Sequence, residues 1–212
     1  MSNKIRYELI SWAEVQRLCL RLAGMIMTSG YQPEIIIAIA RGGYVPARLL
    51  CDYLDIMDLT SIKIEHYLSL ASKKEQATIR YPLCTDIKNR RVLLVDDVND
   101  SGDTLDVAIK HLLSFQPAEI RIAVMHHKIV SHFSVDYYAG KIIKWRWLTY
   151  PWAVSEDITS LLRQISPQPA NVEEAQQQLK QRFDVHIPRK QLEQVYTFYI
   201  NRTDELKNNN EL

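Results

Sequence analysis

Val92-Leu93-Leu94-Val95-Asp96-Asp97-Val98-Asn99-Asp100-Ser101-Gly102-Asp103-Thr104-Leu105 holds the densest information in this chain. Its apolar run reads as a strand buried on both faces. Asp96 and Asp97 close the strand, a short polar turn with Gly102 follows, and a helix starts near Thr104. In open α/β sheets, ligands collect outside the carboxyl ends of strands. A helix N-terminus behind a glycine turn offers backbone N–H groups and a favourable dipole to a phosphate. Adjacent carboxylates beside such a cradle can accept sugar hydroxyls or hold a divalent cation through oxygen. The competing reading is an ordinary strand–turn–helix junction with one aspartate as a cap. A cap needs one acidic residue, and this stretch carries several.

Outward from that stretch, 35–40 (IIIAIA) and 120–125 (IRIAVM) read as further buried strands. Residues 45–54 and 104–115 carry apolar side chains at helical spacing. Residues 11–27 form another helical pattern, with Ser11 and Glu14 as a capping box. Continuous apolar strands alternating with helices predict an α/β domain with a mostly parallel sheet flanked by helices. Residues 67–81 fit neither period; they read as a solvated loop or irregular hairpin, or as a mobile cationic lid, and carry Lys73, Lys74 and Arg80. Ser166-Pro167-Gln168-Pro169-Ala170-Asn171 reads as a linker. Beyond it, Val172, Ala175, Leu179 and Phe183, then Leu192, Val195, Tyr196 and Tyr199, recur at helical spacing, with Pro188 opening the second helix. The expected organisation is a domain over 1–165, a linker over 166–171 and a C-terminal helical extension over 172–212.

Composition narrows the classes. With 26 basic and 25 acidic side chains, the net charge of +1 gives no general pull toward nucleic acid or anionic membrane. An anionic ligand must therefore be held by a local site. Cys19, Cys51 and Cys84 show no metal-binding or disulfide spacing. They read as small core residues in a reducing cytoplasm. No run approaches the roughly 20 apolar residues of a membrane span, and the N-terminus meets charge too early for a signal peptide.

The stretch 92–105 resembles the phosphoribosyl-pyrophosphate motif of type I phosphoribosyltransferases. The likeness is greatest to purine enzymes of bacterial and archaeal type, and covers roughly residues 5–162. It implies that Asp96 and Asp97 contact ribose hydroxyls and, directly or through water, Mg²⁺. It implies that Asp100, Ser101, Gly102, Asp103 and Thr104 cradle the 5′-phosphate, Asp103 through its backbone alone. The family's 6-oxopurine enzymes place an aspartate where Asp100 stands, near N7 of the base, where it can manage the base proton. Arg41-Gly42-Gly43 resembles the family's pyrophosphate loop, where a non-proline cis peptide is common. Lys128 would reach O6 of the purine, while His126 and His127 read as structural.

Trp145-Arg146-Trp147-Leu148-Thr149-Tyr150-Pro151-Trp152 resembles the aromatic hood of xanthine-guanine-type enzymes, placed near 126–153. Aligned on Pro151-Trp152, it makes Trp147 the base-stacking residue and Leu148 a backbone contact to the purine. Trp145 and Trp152 read as core. Ala153 departs from the acidic residue often found there. The implied activity is transfer of the 5-phosphoribosyl group to N9 of hypoxanthine, guanine or xanthine, releasing pyrophosphate, by a homodimer or homotetramer. A non-catalytic sensor of phosphoribosyl pyrophosphate on the same fold is the alternative.

Overall fold

The computed structural model describes residues 5–68 and 75–208, and the side chains of 5–66 and 77–199 within them. The chain forms two compact units: one of the residues up to Trp12 and from Trp145 onward, the other Ala13–Lys144.

In the larger unit a six-stranded sheet has the order β4-β3-β2-β5-β6-β7. The strands are β2 (Ile35–Ala40), β3 (Leu59–Leu68), β4 (Glu75–Tyr81), β5 (Arg91–Asn99), β6 (Glu119–Lys128) and β7 (Tyr137–Ile142). All neighbours pair in parallel except β4, which runs antiparallel on the edge beside β3. The central runs are apolar throughout because both faces are covered: every residue of β2 is buried. Ile35, Ile37, Ile39, Val92, Leu94, Ile122 and Val124 share one cluster with Leu105, Ala108 and Leu112 of α3 (Asp103–Leu113). The alternate set, Ile36, Ala38, Leu93, Val95, Ala123 and Met125, is also buried. Helix α2 (Tyr44–Leu54) packs against β2, β3 and β5. Helix α1 (Trp12–Thr28) buries Val15, Leu18, Leu22 and Ile26.

The connection after β2 leads to β3 on one side, and the connection after β5 leads to β6 on the other. The strand order therefore reverses between β2 and β5. Their carboxyl ends form the crevice where such sheets bind ligands.

The smaller unit pairs β1 (Tyr7–Leu9) with β8 (Trp147–Thr149) in parallel. Its core joins Val154, Ile158, Leu161 and Leu162 of α4 (Val154–Arg163) to Ala175 and Leu179 of α5 (Val172–Phe183). Leu192, Val195, Tyr196 and Tyr199 of α6 (Arg189–Asn208) complete it. Asn171 caps α5 by accepting the Glu174 N–H at 2.9 Å. The sequence drew its boundary at 166–171. The contacts instead group α4 with the two tail helices, because the apolar stripe of α4 is buried in the same cluster as theirs.

One further expectation changes, and one of the alternatives is chosen. Of residues 67–81, those described end β3 and form β4, which pair antiparallel as the hairpin reading expects, with Ile79 partly buried and Thr78 and Arg80 exposed, the alternation of a half-solvated edge. Cys84 is exposed, unlike Cys19 and Cys51. Among the described residues, no helix is long and apolar enough to cross a membrane.

Candidate active site

Strand β5 carries the acidic pair and continues past it to Asn99, so Asp96 and Asp97 lie within the strand's last turns of pleat. Alternation sends them to opposite faces. Asp96 is buried, and its Oδ1 accepts the Asp97 N–H at 2.9 Å. Burial, then the neighbouring Asp97 charge, pushes its carboxyl well above the usual carboxylate range. Asp97 is less buried and lies against the loop after β2.

That loop follows a cis peptide between Ala40 and Arg41. A Cβ at Gly42 would overlap the Asp97 carboxylate, and one at Gly43 would overlap the Val95 carbonyl. The glycines are thus required by close approach of two strand ends, the place where β2 and β5 part. Gly43 N–H donates to the Ile39 carbonyl at 2.9 Å, and α2 starts immediately behind it. Arg41 is exposed at the same loop.

The turn after β5 is built by Gly102, whose φ of 104° lies in the left-handed region. A Cβ there would also come within 2.6 Å of Phe133 Cβ. Ser101 Oγ–H donates to Asp103 Oδ2 at 2.8 Å, which draws that carboxylate toward the Ser101 hydroxyl. His66 Nε2 and Thr104 Oγ1 lie 3.0 Å apart, tying β3 to the start of α3.

Asp100 and Lys128 meet directly. Lys128 Nζ donates to Asp100 Oδ2 at 2.5 Å. The lysine side chain is 3% exposed and the aspartate 41%, so a buried ammonium holds a carboxylate whose other edge faces outward. The pair sits at the carboxyl ends of β5 and β6, neighbours in the sheet.

Asn99, which sequence reasoning passed over, organises this end of the sheet. Its side chain is buried; Nδ2–H donates to the Phe133 carbonyl at 2.8 Å, and Oδ1 accepts from Ser131 Oγ–H at 2.7 Å. His132 N–H donates to the Ser101 carbonyl at 3.0 Å. The segment after β6 therefore backs the Gly102 turn. His127 Nδ1 lies 3.0 Å from Asn99 Nδ2, and burial, then Lys141, lowers its pKa. A neutral ring accepts from Asn99 there. His126 is buried, with its ring where a Gly140 side chain would have to stand.

In the smaller unit, Trp147 is 43% exposed and Leu148 and Thr149 are buried. Trp147 Nε1–H and Thr149 Oγ1–H both donate to Asp157 Oδ2, at 2.8 and 2.7 Å. Arg146 pairs with Glu8 at 2.8 Å. Trp152 is partly buried and stacks on Tyr150 at 4.9 Å, with Trp12 tilted 5.9 Å away. Trp145 is 41% exposed, which corrects its assignment to the core. Lys73 and Lys74 lie outside the described residues. Arg80 lies on β4, its guanidinium 6.0 Å from the Tyr81 ring centroid.

The family described as "Phosphoribosyl transferase domain" matches residues 8–158. The chain is 31% identical to the xanthine-guanine phosphoribosyltransferase of Desulfotalea psychrophila (strain LSv54), over 68% of this chain and 84% of that protein. It is 27% identical to the hypoxanthine-guanine phosphoribosyltransferase of Saccharomyces cerevisiae, over 68% and 84%. The solved purine phosphoribosyltransferase from Pyrococcus horikoshii Ot3 superposes with a TM-score of 0.62 at 33% identity, covering 70% of this chain and 94% of that one. The family match ends at residue 158, before α5 and α6.

Proposed function

The chain belongs to the phosphoribosyl transferase domain family, and we propose that it transfers the 5-phosphoribosyl group of phosphoribosyl pyrophosphate to N9 of a 6-oxopurine, releasing pyrophosphate. The Asp100–Lys128 pair carries this reading. It sets an N–H donor beside a carboxylate acceptor. O6 and N7 are adjacent on a purine edge. A 6-oxopurine with a proton at N7 offers an acceptor beside a donor, the complement of that pair. A 6-aminopurine offers a donor where Lys128 needs an acceptor.

In the reaction, Asp96 and Asp97 orient the ribose hydroxyls as C1′ gains oxocarbenium character. Ser101, Gly102 and Thr104, with the Asp103 backbone, hold the 5′-phosphate at the start of α3. Arg41 and the N–H groups of Gly42 and Gly43 take the charge that develops on the leaving pyrophosphate. Asp100 receives the base proton as N9 bonds to C1′, Trp147 stacks on the purine, and Leu148 contacts its edge through the backbone.

Among the described residues, no group of three or more side chains forms a metal cage. That fits Mg²⁺, which usually takes one or two carboxylates with substrate phosphates and water. Asp97 would hold it. Asp96, buried and bonded to the Asp97 amide, fits better as the residue that fixes Asp97. Mg²⁺ would neutralise charge on the pyrophosphate.

The test is incubation with phosphoribosyl pyrophosphate, Mg²⁺ and, separately, hypoxanthine, guanine, xanthine and adenine. Nucleotide and pyrophosphate should form in equal amounts with at least one 6-oxopurine and not with adenine. Tight binding of phosphoribosyl pyrophosphate with no nucleotide from any base would replace this reading with that of a sensor.

A further inference from the structure

Asp157 belongs to no motif quoted above and holds the one exposed ring that the proposed reaction needs. The backbone of Trp147 is pinned on both sides. Its N–H donates to the Arg6 carbonyl at 2.8 Å, and the next residue but one, Thr149, accepts the Ile10 N–H at 2.9 Å. β1 and β8 thereby fix the strand, with Tyr7 beside Trp147 in register. What remains soft is the side-chain rotation of Trp147, a residue 43% exposed and so not fixed by close packing. An indole has a single polar atom, a donor. That donor goes to Asp157 Oδ2. The same oxygen accepts from Thr149 Oγ1–H, and Thr149 is only 2% exposed. Thr149 thus locks the carboxylate, and the carboxylate locks the ring.

This arrangement is hard to explain as stabilisation. An exposed indole N–H finds water at little cost, and a net hydrogen bond at a surface contributes modestly. Its effect falls on conformation. A free ring would spend part of its time in rotamers that do not present a face, and affinity would drop by the fraction of time lost. We propose that Asp157 is a positioning residue for the base: it selects the Trp147 rotamer that stacks the purine. The inference rests on the reading of Trp147 as the stacking residue.

Asp157 also lies in the first turn of α4, where a carboxylate favours the helix dipole. The experiment must separate the two roles. Asp157→Asn is made in the wild type and in a Trp147→Phe background, where the ring still stacks and has no N–H. With Trp147 present, the KM for the base should rise about 3- to 10-fold, the loss of one charge-assisted hydrogen bond partly replaced by water. The KM for phosphoribosyl pyrophosphate should stay within about twofold, since Asp157 lies outside the phosphate-holding set. In the Trp147→Phe background the same change should shift the base KM by less than about twofold. The Trp147 indole N–H resonance, identified by its loss in Trp147→Phe, should move in Asp157→Asn.

Equal increases in base KM in both backgrounds would mean that Asp157 acts through α4 or touches the base itself, and would overturn the proposal. An unmoved indole resonance would do the same. If Trp147→Ala leaves the base KM unchanged, the stacking reading fails by that observation, and this inference falls with it.

Discussion

In the larger unit, polar groups at the strand ends are positioned by backbone; in the smaller, the exposed ring is positioned by a side chain. Gly42 and Gly43 bring two strand ends so close that neither tolerates a Cβ. Gly102 turns the chain with a φ of 104°. Those places are set by a sheet buried on both faces, so in the proposed reaction the donors they present would already be in position for a phosphate. The Trp147 side chain is held by one hydrogen bond to a carboxylate oxygen and can be released by changing one residue. In the proposed reaction, the charged, invariant part of the substrate would thus be met by rigid backbone. The variable part, a base, would be met by a ring whose orientation a single substitution can alter.

The sharpest way to break this contrast is Asp100→Asn. If the larger unit performs the chemistry, kcat should fall by about 10²–10⁴-fold, the usual contribution of a general acid–base group. Binding of phosphoribosyl pyrophosphate should change little. An unchanged kcat would leave Asp100 as the partner of Lys128 and nothing more.

Next in size is Leu179→Ala in the core of the smaller unit, where Leu179 is fully buried. The cost should be about 2–5 kcal/mol, read as a lower midpoint in denaturant. Phosphoribosyl pyrophosphate affinity, measured calorimetrically below that midpoint, should hold, because the residues assigned to it lie within Ala13–Lys144. A fall in that affinity would show that the phosphate-holding residues depend on the helical core, and the division between units would be wrong.

Gly42→Ala is the third. The added methyl meets the Asp97 carboxylate, and such overpacking costs about 1–3 kcal/mol. The expected result is roughly 5- to 150-fold weaker binding of phosphoribosyl pyrophosphate, with Trp147-dependent base contacts unaffected. Wild-type affinity in a folded variant would mean that the loop does not need its close approach to β5.

The contrast also explains what could be read from the chain. Residues 92–105 were legible because their chemistry is contiguous: strand, acids, turn and helix start follow one another. The parallel sheet was legible through runs such as 35–40, apolar because both faces are buried. The tail helices showed their stripes, yet a stripe states only that something covers it. That Ile158 and Leu162 of α4 share their cluster is a fact of tertiary packing. Asn99 and Asp157 were missed for the same reason: their partners, Phe133 and Trp147, lie 34 and 10 residues away. Trp145 was misjudged because a cluster of aromatics says nothing about which ring faces water. β4 was legible only as one reading of 67–81 among several, because its outward residues are polar, which blurs the period of a half-exposed strand.

The smallest effect expected concerns pH and lies wholly within the larger unit. His111 on α3 accepts the Leu83 N–H through Nε2 at 3.0 Å and packs edge-on against Phe115 at 5.1 Å. Burial lowers its pKa below the ordinary histidine value. In the unfolded chain the ring takes a proton near pH 6.5; in the folded protein it resists, because charging removes the acceptor that Leu83 uses. The unfolded state therefore binds more protons over the interval between the two pKa values. Stability from this group is complete above about pH 6.5 and is lost as pH falls through the folded pKa. His127, also lowered, contributes with the same sign. His111→Gln retains an acceptor and has no proton to gain. Unfolding free energies measured in urea at about pH 7.5 and 5.5, spanning the ordinary histidine pKa, should fall less for the variant than for the wild type, whatever the absolute stability of each. An identical pH slope would show that Leu83 has no need of a neutral ring. The charge-sensitive packing would then belong to the Asn99–His127 end of the sheet, beside the residues assigned to the substrate.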